Sequence, residues 1–413
     1  MNAIILSVGD ELTLGQTVDT NSAWLSARLT ANGVLPLRHE TVADDQDAIV
    51  EAVRRAALQC DWLIISGGLG PTQDDLTRQS LAQATGVELV MHVPSLDRLR
   101  RFFEERGRVM SDSNQIQALC PADAEMLENP KGTAPGIRLR LGRAWVFAFP
   151  GVPSEMKVMF DLHVLPRIQS VRGRVILTKK LNTFGLGESG VGERLGALMR
   201  RDRNPQVGTT VADGIVAVRL RSDFADAAQA RAALEQTEAE VRAALGEAVF
   251  GQDDETLADA VAGLLAERSL TIATAESCTA GLLGKMLTDR SGSSAWFLGG
   301  WLVYANRLKS ECLGVPPNLI EREGAVSEAV ALCMASAALS QSGADRALAI
   351  TGIAGPDGGT AIKPVGTVWI ALARKAEHGP EVKAERFFLI GDRAMIRDRA
   401  AKSALNMARL ALM

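Results

Sequence analysis

A serine hydroxyl is a weak nucleophile and needs a neighbouring base. This chain carries only four histidines, His39, His92, His163 and His378, so a Ser-His-Asp triad or a histidine zinc site is poorly supplied. A neutral lysine is the natural substitute, because burial or nearby positive charge lowers its pKa. Lys309 stands five residues after Tyr304, the only tyrosine of the chain, and a phenol can relay or orient a proton between serine and lysine. Three segments rich in small polar residues surround this pair in sequence: Ala275-Glu276-Ser277-Cys278-Thr279-Ala280-Gly281, Ser291-Gly292-Ser293-Ser294, and Thr351 through Gly359. Spacing alone favours the blander reading, a solvated helix lysine and a core-edge tyrosine. Cys278 is a rival nucleophile, since a thiolate is favoured in a helix-start loop, although buried structural cysteine is the commoner case.

A second set lies near the N-terminus. Gly9-Asp10-Glu11 ends a first apolar run, and Ser66-Gly67-Gly68-Leu69-Gly70-Pro71-Thr72-Gln73-Asp74-Asp75 follows another. A glycine-rich turn opening a helix offers backbone N–H groups to phosphate, though this one is neither a Walker A nor a GxGxxG sequence. Asp74 and Asp75 read as capping acids or, with Asp10, as oxygen ligands holding a divalent metal against a pyrophosphate.

The elements that must position these residues are legible from periodicity. Residues 1–170 alternate strand and helix patterns, which implies a parallel α/β architecture, and the stretch running through NPKGTAPG reads as loop-rich. Residues 171–250 read as β-α-β-β-α, a small α+β unit of KH type in which Gly187-Glu188-Ser189-Gly190 formally matches a GxxG loop. Glu188 argues against clamping a nucleic-acid backbone there despite Arg200, Arg201 and Arg203, so a spacer or dimerisation role is expected. The polar GQDDET stretch from Gly251 marks a second boundary, and residues 251–413 are again α/β, with AWFLGGWLVY expected as a buried strand. The fold class is therefore α/β: two α/β domains joined by a small α+β KH-like unit. In open α/β sheets ligands sit at the carboxyl ends of strands, where the first and third C-terminal loops fall.

With 45 Lys+Arg against 49 Asp+Glu among 413 residues, nothing attracts the chain globally to nucleic acid or to an anionic membrane. The dispersed Cys60, Cys120, Cys278, Cys312 and Cys333 read as reduced thiols. The first residues lack a basic signal-peptide region, and no apolar run approaches the ~20 residues of a membrane span. A cytoplasmic protein, most simply a homodimer, is expected.

AESCTAG, GSSAWFLGGWLVYANRLK, TGIAGPDGGTAIKPVGTVWI and GDRAMIRD together resemble the C-terminal domain of the CinA family over essentially all of residues 255–413. The resemblance implies deamidation of nicotinamide mononucleotide to nicotinate mononucleotide and ammonia without a metal. It further implies Ser294 as nucleophile, Lys309 as general base and Tyr304 as proton relay. Ser277, Thr279, Gly281, Thr351 and Gly352 would line the substrate pocket, and Arg393, with Arg397 behind it, would grip the phosphate, a task suited to bidentate guanidinium contacts. One departure is Ala280, where the usual motif has glycine; its methyl is expected to narrow the approach of a ligand to the backbone.

GDELTLGQTVDTNSAWL, VADDQDAI, SGGLGPTQDDLT, GTAPG and PGVPSEM likewise resemble the family's N-terminal domain over about residues 1–170, which shares its fold with molybdopterin-binding proteins such as MogA and MoaB. This implies metal-dependent ADP-ribose pyrophosphatase activity giving AMP and ribose phosphate. Gly67, Gly68, Gly70, Thr72 and Asp75 would sit at the nucleotide, with Glu11 near it and Asp10, Asp74 and Asp75 as ligands of a divalent metal. The segment Asn114-Gln115-Ile116-Gln117-Ala118 lacks the basic residue usual in the family. Two other classes remain: an amidase whose N-terminal domain merely binds a ligand, and a non-enzymatic partner in DNA uptake or damage response.

Overall fold

The computed structural model describes residues 1–169 and 173–413; the boundary expected between residues 170 and 171 lies outside them. Two compact units divide the chain, Met1–Thr178 with Arg221–Glu235, and Lys179–Leu220 with Gln236–Met413.

The N-terminal sheet has six strands in the order Leu35–Val42, Asn2–Val8, Trp62–Ser66, Ala144–Phe149, Gly136–Leu141, Glu125–Leu127. The first four run parallel, and each of the last two pairs antiparallel with the strand before it. Asn2–Val8 reads as a continuous apolar run because both of its faces are covered. Ile4, Leu6 and Val8 join one buried cluster with Leu63 and Ile65, while Ala3 and Ile5 join the other with Trp62 and Ile64. The stretch read as loop-rich, ending at Gly136, in fact contains the helix Val93–Glu104 and the short strands Leu119–Pro121 and Glu125–Leu127; beyond it Gly136–Leu141 and Ala144–Phe149 form a hairpin. Leu96, Leu99, Phe102 and Phe103 recur in the helix at helical spacing, with only the two leucines buried.

The middle segment forms a four-stranded sheet in the order Gln206–Ala212, Ile215–Phe224, Val175–Thr183, Val249–Gln252, with helices Glu188–Leu195 and Ala227–Leu245. The expected β-α-β-β-α order is present. A fourth strand, Val249–Gln252, pairs antiparallel with Val175–Thr183, so the polar GQDDET stretch begins inside a sheet.

The C-terminal sheet has five strands in the order Phe297–Leu302, Ile272–Glu276, Arg346–Gly352, Thr367–Arg374, Glu381–Phe388. The first three are parallel and the last two antiparallel. Its two faces are graded in size. Leu348, Ile350, Val368 and Ile370 meet the terminal helix Arg393–Leu412 through Ile396, Ala400 and Ala404. Ala275, Ala347, Ala349, Ala371 and Ala373 turn to the other face, where their small side chains admit Val330, Met334 and Ala338 of the helix Glu328–Ser342. Phe297–Leu302 is not the buried strand expected: it lies at the sheet edge, with Leu298 and Leu302 exposed. Its Gly300 is required by close approach, since a Cβ there would fall 2.1 Å from the Thr274 hydroxyl.

Candidate active site

Three parallel strands deliver the C-terminal residues to one end of their sheet. Ile272–Glu276 runs directly into Ser277, whose N–H donates to the Ile350 carbonyl (2.9 Å), and the N–H of Val303 donates to the Glu276 carbonyl (2.9 Å). Tyr304, which follows Val303, is thereby beside the start of the Ser277 loop. Lys309 comes back to the same place from the helix Asn306–Leu313. Its ammonium is buried (1 % exposed) and donates to the carbonyls of Val303 (3.0 Å) and Tyr304 (3.1 Å). No carboxylate pairs with it among the described residues, and burial lowers its pKa. The Cys278 thiol is close enough to interact with it electrostatically.

Ser294 does not join this group. It lies on the short turn Ser293–Ala295 ahead of the edge strand, and the Ile272 N–H donates to the Trp296 carbonyl (2.7 Å), which sets that turn beside the amino end of Ile272–Glu276. Phe297 pairs with Ile272 and Leu302 with Glu276. At about 3.3 Å per residue, the strand separates Ser294 from the Lys309 end by roughly 17–20 Å. The assignment of Ser294 as the nucleophile served by Lys309 is therefore corrected: parallel pairing carries the two to opposite ends of one strand. Cys278 is not a rival either, because burial pushes its thiol up to about 11, leaving no appreciable thiolate at neutral pH.

A buried carboxylate that motif reasoning passed over shapes the loop. Glu276 is 1 % exposed and accepts from the N–H groups of Gly281 (2.9 Å), Leu283 (3.1 Å) and Gly284 (2.8 Å), so it caps the helix Leu282–Thr288 and folds residues 277–281 back over the strand end. The signal was there: an acid closing an apolar strand has to be paid in hydrogen bonds. Thr279 is fully buried with its hydroxyl unpartnered. Thr351 is buried and donates its hydroxyl to the Ala325 carbonyl (2.8 Å), so it is committed to the protein. Gly352 abuts this region closely; a Cβ there would fall 3.1 Å from the Cys278 sulfur.

The two arginines converge on the same end. Arg393 donates to the Gly355 carbonyl (2.7 Å) and the Tyr304 hydroxyl (2.9 Å), and Arg397 to the carbonyls of Cys278 (3.1 Å) and Thr279 (2.7 Å). Their partners are uncharged, so both guanidiniums keep a net positive charge to offer an anion. Ala280 is exposed at φ 48°, beside Gly281 at φ 92°. Its methyl thus acts on the backbone rather than on a ligand's approach, since the left-handed region disfavours a Cβ. Ala280→Gly should raise stability by about 0.5–1 kcal/mol, read as a higher unfolding midpoint with m unchanged.

In the N-terminal sheet, Ser7 pairs with Ser66, so the Gly9 and Gly67 loops leave one carboxyl edge together. Gly67 has φ 112°, and a Cβ there would fall 2.2 Å from the Val8 carbonyl oxygen, which only glycine allows. The Gly68 carbonyl accepts from Thr77 N (3.1 Å), closing the loop onto the helix Thr77–Thr85. Asp75 accepts from the N–H groups of Gly70 (2.7 Å) and Thr72 (2.8 Å) and from the Thr72 hydroxyl. Its carboxylate braces the loop from inside. Asp10 and Asp44 exchange backbone-to-carboxylate bonds (2.9 and 3.1 Å). The Asp44 carboxyl is raised by burial and by the negative charges of Asp10, Glu11 and Asp74. Among the described residues no group of three or more His, Cys, Asp and Glu is arranged to hold a metal ion. The ligand set Asp10, Asp74 and Asp75 does not fit, because Asp75 is spent on its own loop; Asp44, which sequence reasoning passed over, is the acid that faces Asp10.

In the middle segment Gly187 precedes the helix Glu188–Leu195, and the Glu188 carboxylate accepts from the Thr209 hydroxyl (2.9 Å). Arg200 pairs with Asp202 and Arg203 with Glu240. No helix among the described residues is long and apolar enough to cross a membrane.

Three family models match successive segments of the chain. Residues 254–412 match the family model of the CinA C-terminal domain, residues 4–170 a probable molybdopterin binding domain, and residues 178–251 the KH domain of damage-inducible protein CinA. The chain is 44 % identical over 415 residues to a CinA-like protein of Geobacter metallireducens, covering 100 % of both. It is 43 % identical over 419 residues to a putative competence-damage inducible protein of Symbiobacterium thermophilum, covering 99 % of this chain and 98 % of that one. A crystal structure of the competence/damage inducible protein CihA from Agrobacterium tumefaciens covers 38 % of this chain and 93 % of its own, at 41 % identity and a TM-score of 0.36.

Proposed function

The chain belongs to the CinA family, and from that premise we propose that its C-terminal domain is an amidase hydrolysing nicotinamide mononucleotide to nicotinate mononucleotide and ammonia. The observation that carries this reading is the Lys309 amine: buried, without a carboxylate among the described residues, and held on the Val303 and Tyr304 carbonyls beside the start of the Ser277 loop. A lysine so placed gives up its proton more readily than one in water and can serve as a base for the serine beside it.

In this reading Ser277 Oγ attacks the carboxamide carbon and passes its proton to Lys309. The tetrahedral oxyanion is stabilised by the loop's backbone N–H groups. Collapse breaks the C–N bond, the nitrogen takes the proton back from Lys309, and ammonia leaves. Water, deprotonated by Lys309, then cleaves the acyl ester and frees Ser277 and nicotinate mononucleotide. Arg393 and Arg397 take the phosphate, with the Tyr304 phenol fixing Arg393. The test is ammonia release from nicotinamide mononucleotide by the folded protein; none at millimolar substrate would overturn the reading.

The glycine-rich Gly67 loop, which leaves the same sheet edge as the Gly9 loop, favours a second activity in the N-terminal domain, hydrolysis of ADP-ribose to AMP and ribose phosphate. Asp44 positions Asp10 through their reciprocal backbone-to-carboxylate bonds, and its carboxyl is raised first by burial and then by the charges of Asp10, Glu11 and Asp74. AMP should appear on adding magnesium or manganese and fall at least about tenfold in Asp44→Asn. The same variant should be more stable at neutral pH. A carboxyl whose folded pKa is raised contributes stability that is present below its unfolded pKa and lost as pH rises through the folded one. No AMP with either metal removes this reading.

A further inference from the structure

A cavity of about 430 Å³ lies in the C-terminal domain, lined in part by Ser327, Glu328, Lys363, Thr367, Trp369 and Arg386, none of which belongs to the Ser277 set. Trp369 and Arg386 are directly opposite in the antiparallel ladder, so they stand side by side on one face. Thr351 is the neighbour of Trp369 on the other side, which puts the cavity one strand away from the Thr351 position.

Three features mark it as built for a ligand. Thr367 is 1 % exposed, and its hydroxyl has no hydrogen-bond partner among the described residues; a buried hydroxyl left unpaired is costly and calls for an occupant. Lys363 and Arg386 form no ion pair among the described residues, and donate only to carbonyls, Lys363 to Glu323 (2.5 Å) and Arg386 to Ile362 (3.4 Å). The indole of Trp369 adds an aromatic surface beside these two cations. Of the acids present, Glu323 is taken up by Arg322 (2.9 Å), whereas Glu328 stands exposed at the first turn of the helix Glu328–Ser342.

We infer that this cavity binds a nucleoside monophosphate whose base carries an exocyclic amino group. The phosphate sits between Lys363 and Arg386, where an ammonium and a planar guanidinium complement its oxygens, and accepts a hydrogen bond from the Thr367 hydroxyl. The base stacks on Trp369 and donates its amino group to Glu328. The volume falls within the range of small-molecule sites. The inference stands independently of the amidase reading.

The test uses AMP and the full-length protein in equilibrium dialysis. Lys363→Ala combined with Arg386→Ala should lower the number of AMP molecules bound per chain by one, leaving any N-terminal nucleotide site occupied. Thr367→Val should weaken the same site about tenfold. Inorganic phosphate should compete at least tenfold more weakly than AMP. Equal AMP stoichiometry in wild type and double variant, zero included, overturns the site; equal competition by phosphate overturns the base contact. If the double variant fails to fold, each single substitution is measured instead against the same criterion.

Discussion

Ser277→Ala should abolish ammonia release from nicotinamide mononucleotide, by on the order of 10³-fold or more, while Ser294→Ala should stay within about threefold of wild type. The contrast follows from the register of two strands. Ser277 leaves the carboxyl end of Ile272–Glu276, beside the carbonyls that hold Lys309. Ser294 precedes the amino end of the paired strand Phe297–Leu302, a strand's length from any base. Neither substitution threatens the fold: Ser294 is exposed, and loss of the Ser277 hydroxyl leaves its backbone bond to Ile350 intact. Equal losses in both variants, or full activity in Ser277→Ala, would remove Ser277 as the nucleophile. A loss confined to Ser294→Ala would restore the assignment that the topology rejects.

Lys309→Met should cost on the order of 10²–10⁴ in kcat, the range of general-base catalysis, with a smaller change in KM. Burial is the dominant influence on Lys309 and lowers its pKa from 10.5. The wild-type rate should therefore rise with pH through an apparent value below 10.5, and the residual rate of the variant should lack that rise. Stability carries an independent signature. Between the lowered folded pKa and 10.5 the unfolded chain binds more protons than the folded one, so stability rises with pH across that window. Below it, the buried cation is a burden that methionine does not share. Relative to Lys309→Met, wild type should gain stability as pH rises through this window. A parallel pH dependence of the two melting curves would mean that Lys309 keeps its ordinary pKa and is no base.

Much was legible before any coordinates. Continuous apolar runs such as AIILSV and DWLII declare themselves as strands covered on both faces, because burial selects the same residue types at every position. Histidine poverty directs the search to lysine, and the order of the motifs places the chain in its family. The helix Arg393–Leu412 is an uninterrupted periodic stretch and needs no tertiary information to be seen. Val93–Glu104 carries a regular stripe as well, Leu96, Leu99, Phe102 and Phe103, although it buries only the two leucines.

Sequence by itself therefore determined the inventory of this protein: three segments, the strand ends that carry polar loops, and a lysine, a tyrosine and several serines near one another along the chain. Only the tertiary structure decided which serine the lysine can reach. Ser294 is closer to Lys309 in sequence than Ser277 is, yet a strand rising about 3.3 Å per residue carries the chain between Ser294 and Lys309 across the whole sheet. Parallel pairing brings Glu276 level with Leu302, and so returns Ser277 to the lysine's side. In the same way, only the fold showed Asp75 turned inward onto Gly70 and Thr72, and Asp44 facing Asp10. A carboxylate's role is set by which N–H groups and charges lie within a few ångströms of it, and that neighbourhood is assembled from strands distant in the chain.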